Sequence, residues 1–221
     1  MTQFGMLRVG GAFAICLGIS SLSPVRAQPV QQAPPPERGQ AETPKGTESV
    51  EALHAALLEV MRDAETLGYE GRSAQLAPVI PRHFDVEFMA RKAVGRHWQK
   101  ASDEEKQLYL ETFGRFMVAN YAGRFDGYSG QSFETMGEES ARSETLLVRT
   151  QLVDPTDENV ELSYRLRQVP EGWKIIDVYM DGTVSELALR RSEFSSVAKR
   201  EGFDALIETL NAKIAKLAAS E

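Results

Sequence analysis

Of the side chains that could do chemistry, Asp177 is the first to weigh. It sits in the run Trp173-Lys-Ile-Ile-Asp-Val-Tyr-Met180. Simple alternation along a strand puts it on the face shared with Trp173, Ile175 and Tyr179. A carboxylate among apolar neighbours can hold its proton to high pH and act as a general acid. The simpler account is an acid satisfied by an arginine or by backbone amides, because buried charges are paired. His97, beside Trp98, is a candidate base, although a single histidine near a helix end more often caps or packs. The histidines are His54, His83 and His97, and no two stand at metal-ligand spacing. The single cysteine, Cys16, can form neither an intramolecular disulfide nor a thiolate cluster. There is no GxSxG, Walker A loop, GxGxxG or HExxH. The acidic run Asp103-Glu104-Glu105 reads as a helix start that complements the dipole. What remains for catalysis is Asp177 and His97 acting on a small apolar substrate, with no nucleophile or second carboxylate beside them. The inventory points to a protein that is not an enzyme and needs neither metal nor cofactor.

The elements that carry these residues belong to a chain of 221 residues, one ordinary domain with room for an appended segment. Hydrophobic residues make up 42% and charged residues 26%, the mix of a soluble globular protein. The formal charge of −7 argues against wholesale nucleic-acid binding, which needs a basic surface to displace counterions.

Residues 1–27 read as a secretory signal peptide. Arg8 supplies the positive start, the stretch from Gly11 to Ile19 is apolar, and Val25-Arg26-Ala27 is a small-x-Ala cleavage site. The apolar run is too short to span a bilayer, which takes ~20 residues as a helix. Cys16 lies within it, with Ile15 before it where a lipidation signal wants Gly or Ala. Cleavage leaves 194 residues, no cysteine and a charge of −9. Export without thiols fits the oxidising periplasm. Residues 28–46 (QPVQQAPPPERGQAETPKG) are rich in Pro, Gln and Ala and read as a disordered tether. The folded domain is residues 47–221.

Apolar spacing predicts a helix over Ser49–Gly68, a second over Arg72–Val79 ended by Pro81, and a third from an Asp85 N-cap to Gly95. Ser102-Asp-Glu-Glu105 is a capping box opening a long helix to about Arg124. The period then changes. Residues 144–153, 159–169 and 173–180 read as an antiparallel meander of strands, with residues 131–136 a weaker fourth. In the middle strand Val160, Leu162, Tyr164 and Leu166 share one face, and Glu161, Ser163, Arg165 and Arg167 the other. Two helices, Ser185–Arg200 and Phe203–Ala218, close the chain. The fold class is α+β, a meander of three to four strands packed on a multi-helix layer.

Several pieces, in order, resemble one family. They are Phe84-Asp85, Val94-Gly95-Arg96-His97-Trp98, the helix Leu110–Tyr121 (LETFGRFMVANY), Trp173-Lys-Ile-Ile-Asp-Val178, Asp181-Gly182 and Arg191-Ser-Glu-Phe194. Over about Val50 to Leu217 the chain is similar to the MlaC family of periplasmic lipid-binding proteins, also called toluene-tolerance proteins. The spacing between Asp177 and Phe194 is one residue longer than the family pattern. In this the chain resembles the hopanoid-associated branch, HpnM, so the ligand stands open between a phospholipid and a hopanoid.

The resemblance implies a carrier with an apolar cavity between sheet and helices. It also implies exchange of lipid with an inner-membrane ABC transporter bearing an MCE-domain protein, and with an outer-membrane lipoprotein complex. Exposing two chains of ~15 methylenes to water costs about 24 kcal/mol at ~0.8 each, so a lipid cannot cross an aqueous gap unaided. On that reading the wall is Phe88, Val94, Trp98, Phe113, Phe116, Met117 and Tyr121 from helices. Leu146, Val148, Val160, Leu162, Tyr164, Ile175, Val178 and Met180 complete it from strands, and each is equally an ordinary core residue. The last three straddle both faces under simple alternation, and a one-residue slip exchanges them. Arg190 and Arg191 face either anionic head groups, a partner or plain solvent. A structural adaptor using the Pro-rich segment is a third reading.

Overall fold

The computed structural model describes residues 45–219. The expected signal peptide and almost all of the expected tether lie outside them. The order is α1 (Lys45–Arg62), α2 (Ala64–His83), α3 (Val86–Val94), a 3-10 turn (Gly95–Lys100), α4 (Asp103–Arg124), β1 (Ser132–Ala141), β2 (Thr145–Val153), β3 (Val160–Val169), β4 (Gly172–Met180), β5 (Val184–Ser185), α5 (Glu186–Arg200) and α6 (Gly202–Ala218). The strands form one antiparallel sheet in sequence order, so the meander has five members instead of three or four.

The local signals act as their chemistry requires. Asp85 caps α3 by accepting the Phe88 amide at 3.0 Å, and Gly95 ends it with φ of 56°. In the capping box the Ser102 hydroxyl accepts the Glu105 amide and the Glu105 carboxylate accepts the Ser102 amide. The first helical stretch differs from expectation. Helix α1 stops at Arg62, and Gly68, at φ 56° and ψ −179°, breaks the path inside α2. Pro81 does not end α2, because the chain still closes the Phe84 amide on the Ile80 carbonyl.

One face of the sheet, the inner face, packs on the helices. Pairing aligns Val148 with Tyr164 and Tyr164 with Val178. These join Leu53, Leu57, Phe84, Phe113, Phe116 and Phe194 in a single buried cluster. The rings of Phe113, Phe116 and Phe194 meet edge to face or tilted, with centroids 5.8–6.4 Å apart. Helix α1 is tied to β1 by polar contacts: Glu138 accepts the Thr47 amide and hydroxyl, and the Thr135 hydroxyl donates to Glu51.

A bulge in β4 sets the rest. Pairing steps from Arg165 opposite Asp177 to Leu166 opposite Ile175, which leaves Ile176 as the extra residue. Ile175, Val178 and Met180 therefore share the inner face, opposite Leu166, Tyr164 and Leu162, and do not straddle the sheet. Asp177 moves to the outer face with Arg165. It stays beside Tyr179 but is parted from Trp173 and Ile175, which corrects the face assigned by simple alternation.

Candidate functional site

The fifteen residues expected to line a cavity fall in three settings. Phe113, Phe116, Met117, Tyr121, Val148, Tyr164, Ile175 and Val178 lie deep in the buried cluster, with Leu162 packed against it. Leu146, Val160 and Met180 are half-buried on the inner face of the strands. The other three border open clefts, Phe88 and Trp98 packed against the cluster and Val94 fully buried within it.

Two polar groups are set into that interior. The His54 Nε2 lies 3.0 Å from the Tyr164 hydroxyl, and its ring stacks on Phe133 at 3.8 Å. Burial pushes the His54 pKa down to about 3, so the ring is neutral near pH 7. Glu186, at the start of α5, pairs with Arg190 at 3.1 Å and with Arg124. Burial alone would raise its pKa, but the two guanidinium groups outweigh that and lower it. Arg190 lies over the Phe116 ring, 4.9 Å from its centroid.

Arg190 thus turns inward while its neighbour Arg191 turns out. Arg191 borders three clefts at the margin of the cluster. One, of about 560 Å³, lies between the outer face of β2–β4 and the helices α3 and α5; its apolar members include Phe88, Ile176 and Leu187. A second, of about 600 Å³, runs along α3 past Phe88 and Trp98. Both share Phe88, Lys92, Arg167 and Arg191, so they form one trough. The third, of about 450 Å³, passes His97 and Lys199. Each volume is of the size that takes a small ligand, ~300–1,000 Å³. A further cleft of about 430 Å³ between α2, α3, α4 and α6 is lined by Ile80, Leu110, Val118 and Ile214.

The two candidate catalytic groups are not brought together. Asp177 borders the cleft under α5, His97 the one beyond Arg191. The Asp177 carboxylate already accepts the Ser185 hydroxyl at 2.6 Å and the Val178 and Leu187 amides at 2.9 and 3.0 Å. It fastens β4 to the start of α5, the backbone-satisfied alternative weighed from sequence. Burial first, and then the cations Arg96, Lys100 and Lys199, push the His97 pKa down. Among the described residues no cluster of three or more His, Cys, Asp or Glu could hold a metal, and no helix is long and apolar enough to cross a membrane.

Sequence reasoning missed Lys92, Arg167, Ile176 and Leu187. The alternation of β3 placed Arg165 and Arg167 on one face, a usable signal, but nothing local joined that face to α3 and α5.

Comparison with known proteins agrees with this architecture. A solved structure of a phospholipid-binding protein from Ralstonia solanacearum, in complex with a phospholipid, is similar with a TM-score of 0.68. The identity is 22%, over 78% of this chain and 98% of that one. No curated protein matches the sequence. The family model described as MlaC protein matches residues 51–212, which is most of the chain, and the protein is therefore a member of the MlaC family.

Proposed function

We propose that the protein is a lipid carrier of the periplasm. The observation that carries this reading is the MlaC match over residues 51–212, on a fold shared with a protein solved with a phospholipid bound. The lipid tails lodge between the inner face of the sheet and the helices, against the residues named above. The mouth lies at the edge of that layer, where Phe88 and Leu187, both packed against the buried cluster, also border an open cleft. A dry interior matches the energetics, because enclosing the chains avoids a cost of ~0.8 kcal/mol per exposed methylene. Flexible Met89 and Met117 in the cluster suit an interior that must accept a guest and close behind it. The export signal read at residues 1–27 supports the compartment, and the Pro-rich segment gives the domain reach. The cargo is a phospholipid or a hopanoid. It passes from an inner-membrane transporter with an MCE-domain protein to an outer-membrane lipoprotein complex, or back.

Native mass spectrometry of the exported protein, purified without detergent, tests the reading. We expect an adduct of lipid mass, which solvent extraction identifies as phospholipid or hopanoid in a host that makes both. Leu162→Arg, at a half-buried position of the inner face, should lose the adduct while keeping the wild-type circular dichroism. Full occupancy in that variant overturns the wall. A wild-type protein that carries no lipid and takes none from vesicles overturns the carrier.

A further inference from the structure

We propose that the trough shared by α3, α5 and the outer face of the sheet holds a phosphate group, bound by Lys92, Arg167 and Arg191. The carrier reading above supplies only the source of that phosphate, as the head group of the cargo; the site itself rests on the geometry.

The charge of the trough opposes that of the chain. In a protein of formal charge −7, its two clefts are bordered by Arg91, Lys92, Arg96, Arg165, Arg167 and Arg191, against Asp85, Glu87 and Asp177. The carboxylates are already engaged. Asp85 accepts the Phe88 amide and the Arg167 Nε at 2.6 Å, Glu87 pairs with Arg91 at 3.3 Å, and Asp177 is filled by Ser185 and two amides. Lys92 and Arg191 have no carboxylate partner among the described residues. They and Arg167 are the cations common to both clefts.

These cations are held in place by contacts that do not neutralise them all. Arg167 lies over the Phe88 ring, 4.6 Å from its centroid, and Lys92 Nζ lies 5.2 Å from the same centroid. Arg191 lies against the backbone of Gly95, where a Cβ would stand 3.5 Å from its Nη2. Arg167, already fixed by Asp85 and by the Phe88 ring, loses little freedom on binding. A phosphate offers several charged oxygens, so it can accept from two guanidinium groups and an ammonium at once. The floor around them is apolar, with Phe88, Trp98, Ile176 and Leu187. Such a site fits a phosphate that carries an apolar body better than a bare ion.

The test loads purified protein from vesicles with dioleoyl phosphatidylglycerol or with dioleoylglycerol, which has the same chains and no phosphate. Glycerol 3-phosphate, followed by amide chemical shifts, supplies the soluble arm. We expect wild-type protein to prefer phosphatidylglycerol. The double variant Lys92→Gln/Arg191→Gln should cut that preference about tenfold, as the loss of charge-assisted hydrogen bonds predicts. Arg149→Gln, an exposed cation outside both clefts, should leave it unchanged. If both lipids load and the double variant keeps the full preference, the site is overturned while the carrier stands. If neither lipid loads but glycerol 3-phosphate binds the wild type and not the double variant, the phosphate site stands, its source is soluble, and the carrier reading falls. If neither lipids nor glycerol 3-phosphate bind, the site is overturned with the carrier.

Discussion

The two faces of the sheet serve different ends. The inner face sets Val148, Tyr164, Ile175 and Val178 against aromatic helices in a buried cluster. The outer face near β4 sets Arg165, Arg167 and Asp177 beside Ile176, under the ends of α3 and α5, and leaves a trough open to water. Both faces arise from the same alternation, so the pattern of a strand does not decide which side does what. Coverage decides it: α1 packs across β1, β2 and β4 and its side chains join those of α4 in the buried cluster, whereas α3 and α5 only flank the other side. The inner face carries the fold and an apolar guest would have to part it; the outer trough can take a ligand with no loss of core.

The inner face is most sensitive at Phe113. Its side chain is fully buried between Tyr109, Phe116 and Phe194. Phe113→Ala should cost about 3–5 kcal/mol, read as a lower urea midpoint with an unchanged slope. A loss below about 1 kcal/mol would mean that the site collapses at little cost. The inner face would then be a loosely held cavity wall and not a packed core.

How far the sequence reveals this division depends on the range of the interactions involved. The α3 cap at Asp85, the capping box at Ser102 and the strand faces of Val160–Leu166 were legible, because neighbours within four residues determine them. The split between α1 and α2 was not, because the apolar spacing runs on past Asp63 to Gly68. The bulge at Ile176 was hidden as well. Ile-Ile-Asp reads equally well in either register, and the choice is made by Arg165 and Leu166 across the strand pair. Arg190 and Arg191 looked alike, yet about 100° of helix rotation separates them. Glu186, one turn back, draws the first inward. The trough draws on α3, α5 and three strands, so each of its cations reads alone as an ordinary solvated residue.

A smaller effect tests the inner face through its buried histidine. His54 titrates near 3 in the fold and about 6.5 when unfolded, so the folded protein resists protonation. Its contribution is complete above pH ~6.5 and falls away as pH drops toward 3, by up to ~1.4 kcal/mol per pH unit for one proton. His83 and His97 are shifted the same way, so the informative quantity is a difference. Urea unfolding between pH 7.5 and 4 should show a shallower pH dependence in His54→Phe than in wild type. Equal slopes would mean that water reaches the ring in solution and that the inner face near β1 and β3 is open.

The smallest effect belongs to the trough, and its sign carries the information. Lys92 and Arg191 are exposed cations gathered beside Arg167 with no carboxylate of their own. Without a ligand they repel one another, so Lys92→Gln/Arg191→Gln should leave stability unchanged or raise it, by no more than about 0.5 kcal/mol. The gain should be largest near 0.01 M salt, where the screening length is about 30 Å, and vanish near 1 M, where it is about 3 Å. Thermal unfolding at the two salt concentrations reads both. A core cation would behave in the opposite way: removing Arg190 takes one of two guanidinium partners from the buried Glu186 and leaves only the half-exposed Arg124, so it should destabilise at either salt. If the double variant loses 1 kcal/mol or more at both concentrations, Lys92 and Arg191 belong to the fold as Arg190 does, and the outer face is held together by the cations that line it.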